Sequence, residues 1–240
     1  MRVGEVRRLL GDLLAVGAPY GLALGGGDAM RVHGLVDRAG RTVEVATESA
    51  VPTADIVAAV RRGLEERGWR AGAAGTEPLG ARLVVTDPAT GEEYEVQVLK
   101  EVLWRPPEPG EPGPVLSLED TVGTRVRALA GQGLAPDLVD VHAAAGRWTR
   151  PELEELGRRH AGDAFDLADL QTRLVGAEWL DDREFTACGL DDHAIAALRR
   201  WAQEWADDIG ERLLEATTPE TPGAPDSPDS PGLPGAPDDE

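Results

Sequence analysis

Residues 20–47 read YGLALGGGDAMRVHGLVDRAGRTVEVAT. A short apolar run enters three glycines, Gly25–Gly27, and a helix-like segment then leads to an alternating segment centred on residues 42–45. This order is typical of a strand, a glycine turn, a helix and a second strand. Glycine lacks a Cβ, so the N–H groups of such a turn can approach phosphate oxygens, and the following helix adds the positive end of its dipole. Because residues two apart on a strand share a face, positions 42 and 44 are predicted to face one metal ion.

The same segment resembles the nucleotidyltransferase toxins of the AbiEii/AbiGii type, within the polymerase-β-like nucleotidyltransferase superfamily. The family pattern is an apolar residue, a glycine pair, a short helix that often carries His-Gly, then Arg-Pro-Ser, and then Asp-x-Asp on a strand. Gly26 and Gly27 match the glycine pair, His33 and Gly34 match the helix end, and Arg38 matches the arginine. The resemblance implies that the glycine pair binds phosphates. It also implies an α/β (α+β) fold, with a small mixed sheet and a helical domain that closes a nucleotide cleft.

The segment departs from the family at the metal-binding strand. Ala39 and Gly40 stand where the family has Pro and Ser, Thr42 replaces the first metal-binding Asp, and Glu44 replaces the second. In the family the strand carboxylates hold Mg²⁺, which prefers oxygen ligands in near-octahedral order. The resemblance assigns catalytic and metal-binding roles to Glu44. Threonine brings no charge to a metal, and glutamate places its carboxylate one methylene further out than aspartate.

A second block of the resemblance follows about 80 residues later in the chain. The family has Lys-x-x-Ala-Leu, then an Arg, then Arg-Asp-x-x-Asp. Arg125 stands for the nucleotide-contacting Lys, Gln132 and Pro136 replace the arginines, and Asp137 and Asp140 are kept. The resemblance implies that Arg125 contacts the triphosphate and that Asp137 orients a metal or a reacting group. Residues three apart on a helix face the same way, so the two aspartates also fit a helix start whose acids pair with a nearby arginine.

A hairpin is predicted from residues 81–86 and 94–99, which flank a turn rich in Asp, Pro and Gly. In the resembling family a third carboxylate often lies on such a central strand. Glu93, Glu95 and Gln97 share one face of the second hairpin strand. Glu95 is the candidate for the third carboxylate and so for a metal ligand, with Gln97 as the alternative position, already lost. The alternation is equally typical of the solvent face of an edge strand, and that interpretation stays open.

The formal net charge of −20 excludes broad, non-specific binding to DNA, RNA or an anionic membrane, since phosphate contact needs Lys/Arg patches. A small basic pocket remains compatible with that charge. The single Cys188 excludes an internal disulfide and fits a reducing cytoplasm. We expect a cytoplasmic location with no membrane span, because neither a secretory leader nor a run of about 18 apolar residues is seen. No His/Cys spacing for zinc and no Walker or Rossmann glycine pattern is found.

Proline-rich segments divide the chain. Residues 105–114 indicate a loop or an interdomain crossing. We therefore predict a nucleotidyltransferase-like α/β domain over 1–116, a helical domain over 117–215 and a disordered acidic tail over 216–240. In the tail a proline recurs every third residue among Gly, Ala, Ser, Thr and acids, which favours polyproline II rather than a packed core. Two capping-box-like starts mark predicted helices, Ser117 with Asp120 and Thr149 with Glu152.

Two hypotheses for function follow, with a weaker third. The resemblance implies a Mg²⁺-dependent nucleotidyltransferase toxin that moves a nucleotide from an NTP to an RNA (such as tRNA) or protein acceptor. A cognate antitoxin is the expected partner, in an abortive-infection or toxin–antitoxin setting. The substitutions in both motifs favour the alternative of a catalytically lapsed relative, which acts as a nucleotide- or protein-binding module. The third is an interaction protein that works through its acidic tail.

Overall fold

A mixed β-sheet forms one half of the computed structural model, which describes residues 3–38 and 42–217. The strands within these residues are β1 (Ala23–Leu24), β2 (Val43–Thr47), β3 (Arg70–Glu77), β4 (Gly80–Thr86), β5 (Glu93–Lys100), β6 (Glu108–Pro109) and β7 (Pro114–Val115). Their order is β3-β4-β5-β2-β1-β7-β6. β2 is parallel to β5 and β1 is parallel to β7, whereas the other neighbouring pairs are antiparallel. The predicted mixed sheet is confirmed.

The helices surround this sheet and then form a second half of their own. They are α1 (Val3–Gly17), α2 (Gly26–Val32), α3 (Thr53–Glu66), α4 (Leu118–Gly131), α5 (Ala135–Ala144), α6 (Arg150–Ala161), α7 (Leu167–Gly176), α8 (Asp182–Thr186) and α9 (Asp192–Thr217). In the described residues no helix is both long enough and apolar enough to cross a membrane.

Alternation along the hairpin strands decides which face of the sheet is covered. Leu83 and Val96 are fully buried in a core that α1 and α3 complete. Their neighbours Arg82 and Glu95 are exposed on the opposite face. The predicted hairpin is confirmed, and half of the sheet is left with one bare face that continues into the candidate site.

The helical half is built on a close contact between α4 and α6. A Cβ added at Gly123 would lie 2.7 Å from the Leu156 carbonyl oxygen, so a side chain here would push the two helices apart. The predicted caps are confirmed. The Ser117 side chain accepts a hydrogen bond from the Asp120 amide, and a reciprocal capping box starts α6. Capping satisfies N–H groups that the first turn of a helix leaves unpaired.

Several bounds differ from those expected. The apolar run before the glycines forms only the short strand β1, because residues 18–20, which include Pro19, form a 3₁₀ turn. The proline-rich segment contributes β6 and β7, which extend the sheet beyond β1. The domain boundary after residue 116 stays a prediction. The predicted tail falls almost wholly on 218–240, outside the described residues.

Candidate functional site

A cleft of about 650 Å³ lies between the sheet and the helical half. The glycine turn and β2 form one wall, and α4 and α5 form the other. Its lining includes Gly25–Gly27, Arg38, Thr42, Glu44, Gln97, Glu101, Arg125, Arg127, Asp137, Asp140 and Glu184. The two blocks of the sequence that carry the resemblance therefore meet in one place.

The glycine turn is fitted closely around Glu44. The Gly25 amide donates to the Glu44 carbonyl oxygen at 2.8 Å, which ties the turn to β2. Gly26 has a φ of +61°, and a Cβ built on it would lie 2.6 Å from the Glu44 carboxyl carbon. Only glycine meets both demands without strain. The space that a phosphate would use beside Gly26 is thus partly filled by a side chain of the protein.

Arg125 lies between two carboxylates. Its Nη2 donates to Glu44 Oε2 at 2.5 Å, and its Nη1 donates to Asp137 Oδ1 at 3.1 Å. Burial lowers the pKa of Arg125, but Glu44 and Asp137 outweigh that effect, so the pKa lies above its usual range. Burial raises the pKa of Asp137, against the opposing charge of Arg125. Arg125, on α4, therefore links Glu44 on β2 to Asp137 on α5.

A second arginine–aspartate pair stands beside the first. Arg38 Nη2 donates to Asp140 Oδ1 at 2.5 Å and to the Pro136 carbonyl oxygen at 3.1 Å. Burial raises the pKa of Asp140 to about 6, although Arg38 and Arg125 oppose the shift. The proline that replaces an arginine of the family thus accepts a hydrogen bond from an arginine on the other wall.

A third cluster, of which Glu101 and Arg127 line the cleft, connects the end of β5 to the helical half. Arg127 donates two hydrogen bonds to Glu101, one from each terminal nitrogen. His160 Nε2 lies 3.0 Å from Asp120 Oδ1. Burial raises the pKa of Asp120, but hydrogen bonds from His160, Ser117 and two backbone amides outweigh burial, so its pKa lies below the usual range. This cluster holds the two walls together.

The donor set does not fit Mg²⁺. The Glu44 carboxylate is bonded to Arg125, and Thr42 brings no charge. Glu95 is exposed and is not part of the cleft lining, because the strand register places Gln97, not Glu95, opposite Glu44. Over residues 3–38 and 42–217 there is no group of three His, Cys, Asp or Glu that could hold a metal. A divalent ion needs several oxygen ligands at once.

Charge balance in the cleft also bears on the ligand. Five carboxyl groups and three guanidiniums line it, and each of these arginines is hydrogen-bonded to a carboxylate. A triphosphate entering this cleft meets paired cations and an excess of acid. A phosphate that contacts one of these arginines therefore competes with a carboxylate of the protein.

The predicted site residues are thus brought together with one exception. Gly26, Gly27, Glu44, Arg125 and Asp137 line a single cleft, whereas Glu95 lies outside it. Their assigned roles stay predictions. His33, interpreted from the sequence as a packed residue, bonds through Nε2 to the Leu116 carbonyl oxygen at 2.8 Å.

Sequence reasoning missed Glu101, Arg127 and Glu184 as members of the lining. A signal existed for Glu101, since it continues the alternate positions that run from Glu93 through Glu95. No signal in the sequence places Glu184 at the cleft.

Comparison with solved structures identifies the fold. The chain superposes on MenT4, the nucleotidyltransferase toxin Rv2826c of Mycobacterium tuberculosis H37Rv, with a TM-score of 0.55 and 17% identity over 84% of this chain and 82% of that one. JHP933 of Helicobacter pylori gives 0.50 and 16% over 87% and 94%. A candidate nucleotidyltransferase of H. pylori gives 0.52 and 13% over 88% and 96%. This chain has the nucleotidyltransferase fold.

The nucleotidyltransferase fold agrees with the resemblance read from the two motifs. At these identities the likeness extends to the fold and leaves substrate and acceptor open. No protein-family model and no curated protein sequence matches the chain. The chemistry must therefore be inferred from the residues of the cleft themselves.

Proposed function

We propose that this protein is a nucleotidyltransferase-fold binding module, which takes up a nucleotide in its cleft and does not catalyse metal-dependent transfer. The observation that carries the proposal is the contact between Glu44 and Arg125. Glu44 stands at a metal-binding position of the family, and its carboxylate is hydrogen-bonded to Arg125. Thr42, at the other metal-binding position, is uncharged. The cleft volume of about 650 Å³ is in the ordinary range for small-molecule sites.

Titration calorimetry of the full chain with each NTP, with and without Mg²⁺, tests this function. We expect one or more NTPs to bind with an affinity that does not depend on Mg²⁺. Magnesium-dependent binding, or release of pyrophosphate from an NTP, would contradict the proposal. Absence of any NTP binding would also contradict it.

Restoring the family's acids provides the matching gain of function. The double variant Thr42→Asp/Glu44→Asp is expected to bind Mg²⁺ or Mn²⁺ where the parent binds neither, because two carboxylates would then line the cleft at the family's metal-binding positions. The matched control is Thr86→Asp/Glu93→Asp. These two residues pair across β4 and β5, outside the cleft lining, so the control makes the same substitutions away from the cleft. Equal metal binding by both double variants would remove the support from the substitutions.

A second candidate function is nucleotidyl transfer of the toxin type. It is favoured by one observation, that Glu44, Arg125 and Asp137 meet in one cleft as the resemblance implies. The protein would then move a nucleotide from an NTP to an RNA (such as tRNA) or protein acceptor, with Mg²⁺, and a cognate antitoxin would restrain it.

Growth arrest on expression, lost in Glu44→Ala and retained in Glu93→Ala, is the result that this second function requires. Transfer of label from an NTP to cellular RNA or protein by the purified chain would establish it over the binding module. Equal growth with the parent and with Glu44→Ala would exclude a toxin that depends on this cleft.

A further inference from the structure

The Glu44 carboxylate is paired with Arg125, one of three arginines that line the cleft. Its Oε2 accepts from Arg125 Nη2, and no second hydrogen bond to its carboxylate is found in the described part of the chain. Building on the function proposed above, we propose that Glu44 is the specificity-determining residue of the cleft. It is a competing anion supplied by the protein, and a phosphate-bearing ligand reaches Arg125 by displacing it.

The contact is built so that it can be exchanged. The Glu44 side chain keeps 16% of its surface exposed and lines the cleft, so a ligand can approach it. Asp137 holds the other side of the Arg125 guanidinium through Nη1, which keeps the guanidinium in place when Glu44 leaves. The pair consists of a single oxygen–nitrogen contact, so an oxyanion that takes the place of Glu44 has one charge-assisted hydrogen bond to replace.

Arg125 has donors left for such a ligand. A guanidinium carries five N–H groups in a planar fork, and this one gives a hydrogen bond to each of two carboxylates. Its Nε is buried and has no hydrogen-bond partner among the described residues. Phosphate oxygens can accept two parallel bonds from such a fork, whereas Glu44 accepts one from Arg125.

Gly26 leaves the space that the Glu44 carboxylate occupies. With a φ of +61° and no Cβ, it leaves the room that the Glu44 carboxyl group occupies, since a Cβ would come within 2.6 Å of the carboxyl carbon. Gly26, the Glu44 carboxylate and the Arg125 guanidinium thus lie side by side, in that order, from the glycine turn to α4. The glycine turn supports an acid of the protein where the resemblance places a phosphate.

Displacement sets the chemical class of the ligand. The displaced carboxylate stays near the incoming anion and repels it, so a singly charged phosphate gains little by the exchange. A polyphosphate carries more charge and more acceptor oxygens, and it can offset that repulsion with additional contacts. We therefore expect the cleft to accept polyphosphate chains and to discriminate against phosphate monoesters and inorganic phosphate.

The test uses tripolyphosphate as the probe, in titration calorimetry without divalent ions. Glu44→Gln keeps the size of the side chain and removes its charge, so it should bind tripolyphosphate about tenfold more tightly than the parent. Glu93→Gln is the matched control, because it removes the same charge from an exposed position on the same sheet face. It should bind within about twofold of the parent, since exposed charges at that range are largely screened.

The pairing partner is tested by the double variant Glu44→Gln/Arg125→Gln, in which the tenfold gain should vanish. A gain of equal size in Glu93→Gln would overturn the proposal, since the effect would then be one of net charge. A gain that survives the loss of Arg125 would overturn it as well. If Glu44→Gln does not fold, Glu44→Ser makes the same comparison.

Failure of this inference is distinguishable from failure of the proposed function. If the parent binds an NTP without Mg²⁺ but Glu44→Gln binds tripolyphosphate no better, the binding module stands and the displacement is wrong. If the parent binds no NTP but Glu44→Gln gains tripolyphosphate binding through Arg125, the displacement stands and the module is wrong.

Discussion

Glu44 and Glu154 are both glutamates held by an arginine, yet they are held in different ways. Glu154, inside the helical half, receives Nη1 and Nη2 of Arg212 at 2.9 and 2.6 Å and the Trp205 indole N–H at 2.8 Å. Glu44 receives one nitrogen of Arg125 and faces a cleft. The Glu154 carboxylate accepts hydrogen bonds on both oxygens, whereas the Glu44 carboxylate, within residues 3–38 and 42–217, accepts on one.

The difference separates an ion pair that belongs to the core from one that can change partners. Three donors converge on Glu154, so its removal leaves the buried Trp205 indole N–H without its acceptor, while Arg212 keeps its hydrogen bond to Asp208. Removal of Glu44 leaves Arg125 with Asp137 and with access to water in the cleft. The charges are the same in the two clusters, but burial differs. The Glu44 side chain is 16% exposed against 4% for Glu154, whereas Arg212 is more exposed than Arg125. The number of donors on each carboxylate also distinguishes them.

The largest expected effect is the loss of stability when the pair of Glu154 and Arg212 is broken. Glu154→Ala should lower the free energy of unfolding by about 3 kcal/mol, because it removes a buried carboxylate that accepts three hydrogen bonds, one of them from a buried indole N–H. Glu44→Ala should lower it by about 1 kcal/mol, because it removes one hydrogen bond while Arg125 keeps Asp137 and lines the cleft. Urea unfolding of the full chain, followed by tryptophan fluorescence, measures both.

Glu155→Ala is the control for this first prediction. It removes an exposed acid from the neighbouring position of α6 and should change stability by less than about 0.5 kcal/mol. Equal losses for Glu44→Ala and Glu154→Ala would mean that the two pairs are equally structural, and the comparison would collapse.

The pH dependence of stability tests the pair of Arg38 and Asp140, which also lines the cleft. The folded protein raises the pKa of Asp140 to about 6, so between the unfolded value of 3.8 and 6 the folded chain holds more protons than the unfolded chain. Stability from this group therefore falls as the pH rises through that window and is constant above it. The parent should lose about 2 kcal/mol relative to Asp140→Asn across the window.

Asp120→Asn supplies the opposite sign. The pKa of Asp120 is lowered in the folded protein, so the parent's advantage over this variant should be present above the ordinary aspartate pKa and lost as the pH falls below it. Unfolding free energies of the three proteins, measured from acid to neutral pH, give both slopes. A parent that gains stability over Asp140→Asn with rising pH would contradict the burial of Asp140.

The close approach of Gly26 to the Glu44 side chain predicts that substitutions at the two positions have coupled effects on stability. Gly26→Ala should cost about 2 kcal/mol, since alanine at positive φ is strained and its Cβ would meet the Glu44 side chain. In a Glu44→Ala background the second contribution disappears, so the cost should fall to about 1 kcal/mol. A double-mutant cycle of unfolding free energies measures the difference. Strict additivity would mean that the glycine turn does not seat this side chain.

Local features of the fold were predictable from the sequence, because their causes lie within a few residues. The helix starts at Ser117 and Thr149 follow from capping, and the hairpin follows from alternation on either side of a turn. Residues from the two blocks of the resemblance also line one cleft. The two blocks carry its glycines, its strand and its facing helix in order along the chain.

The partners inside the cleft were not predictable, because they join side chains that are far apart in the sequence. Arg125 and Glu44 are separated by 81 positions, and Arg38 and Asp140 by 102. Alternation identified the face on which Glu95 lies but not its distance along the strand from Glu44. That distance depends on the parallel register of β2 and β5, for which the sequence contains no local signal.

The smallest expected effect separates reach from charge at Glu44. Glu44→Asp keeps the negative charge but shortens the side chain by one methylene, so its carboxylate withdraws from the 2.5 Å contact with Arg125. Stability should change by less than about 0.5 kcal/mol, because the Asp137 contact remains. Affinity for tripolyphosphate should rise by about threefold, less than in Glu44→Gln, since Arg125 is released while the charge stays. Calorimetry and urea unfolding on one preparation measure both quantities. Parent-like binding in Glu44→Asp alongside a tenfold gain in Glu44→Gln would assign the whole effect to charge, and Glu44 would then repel ligands without occupying their site.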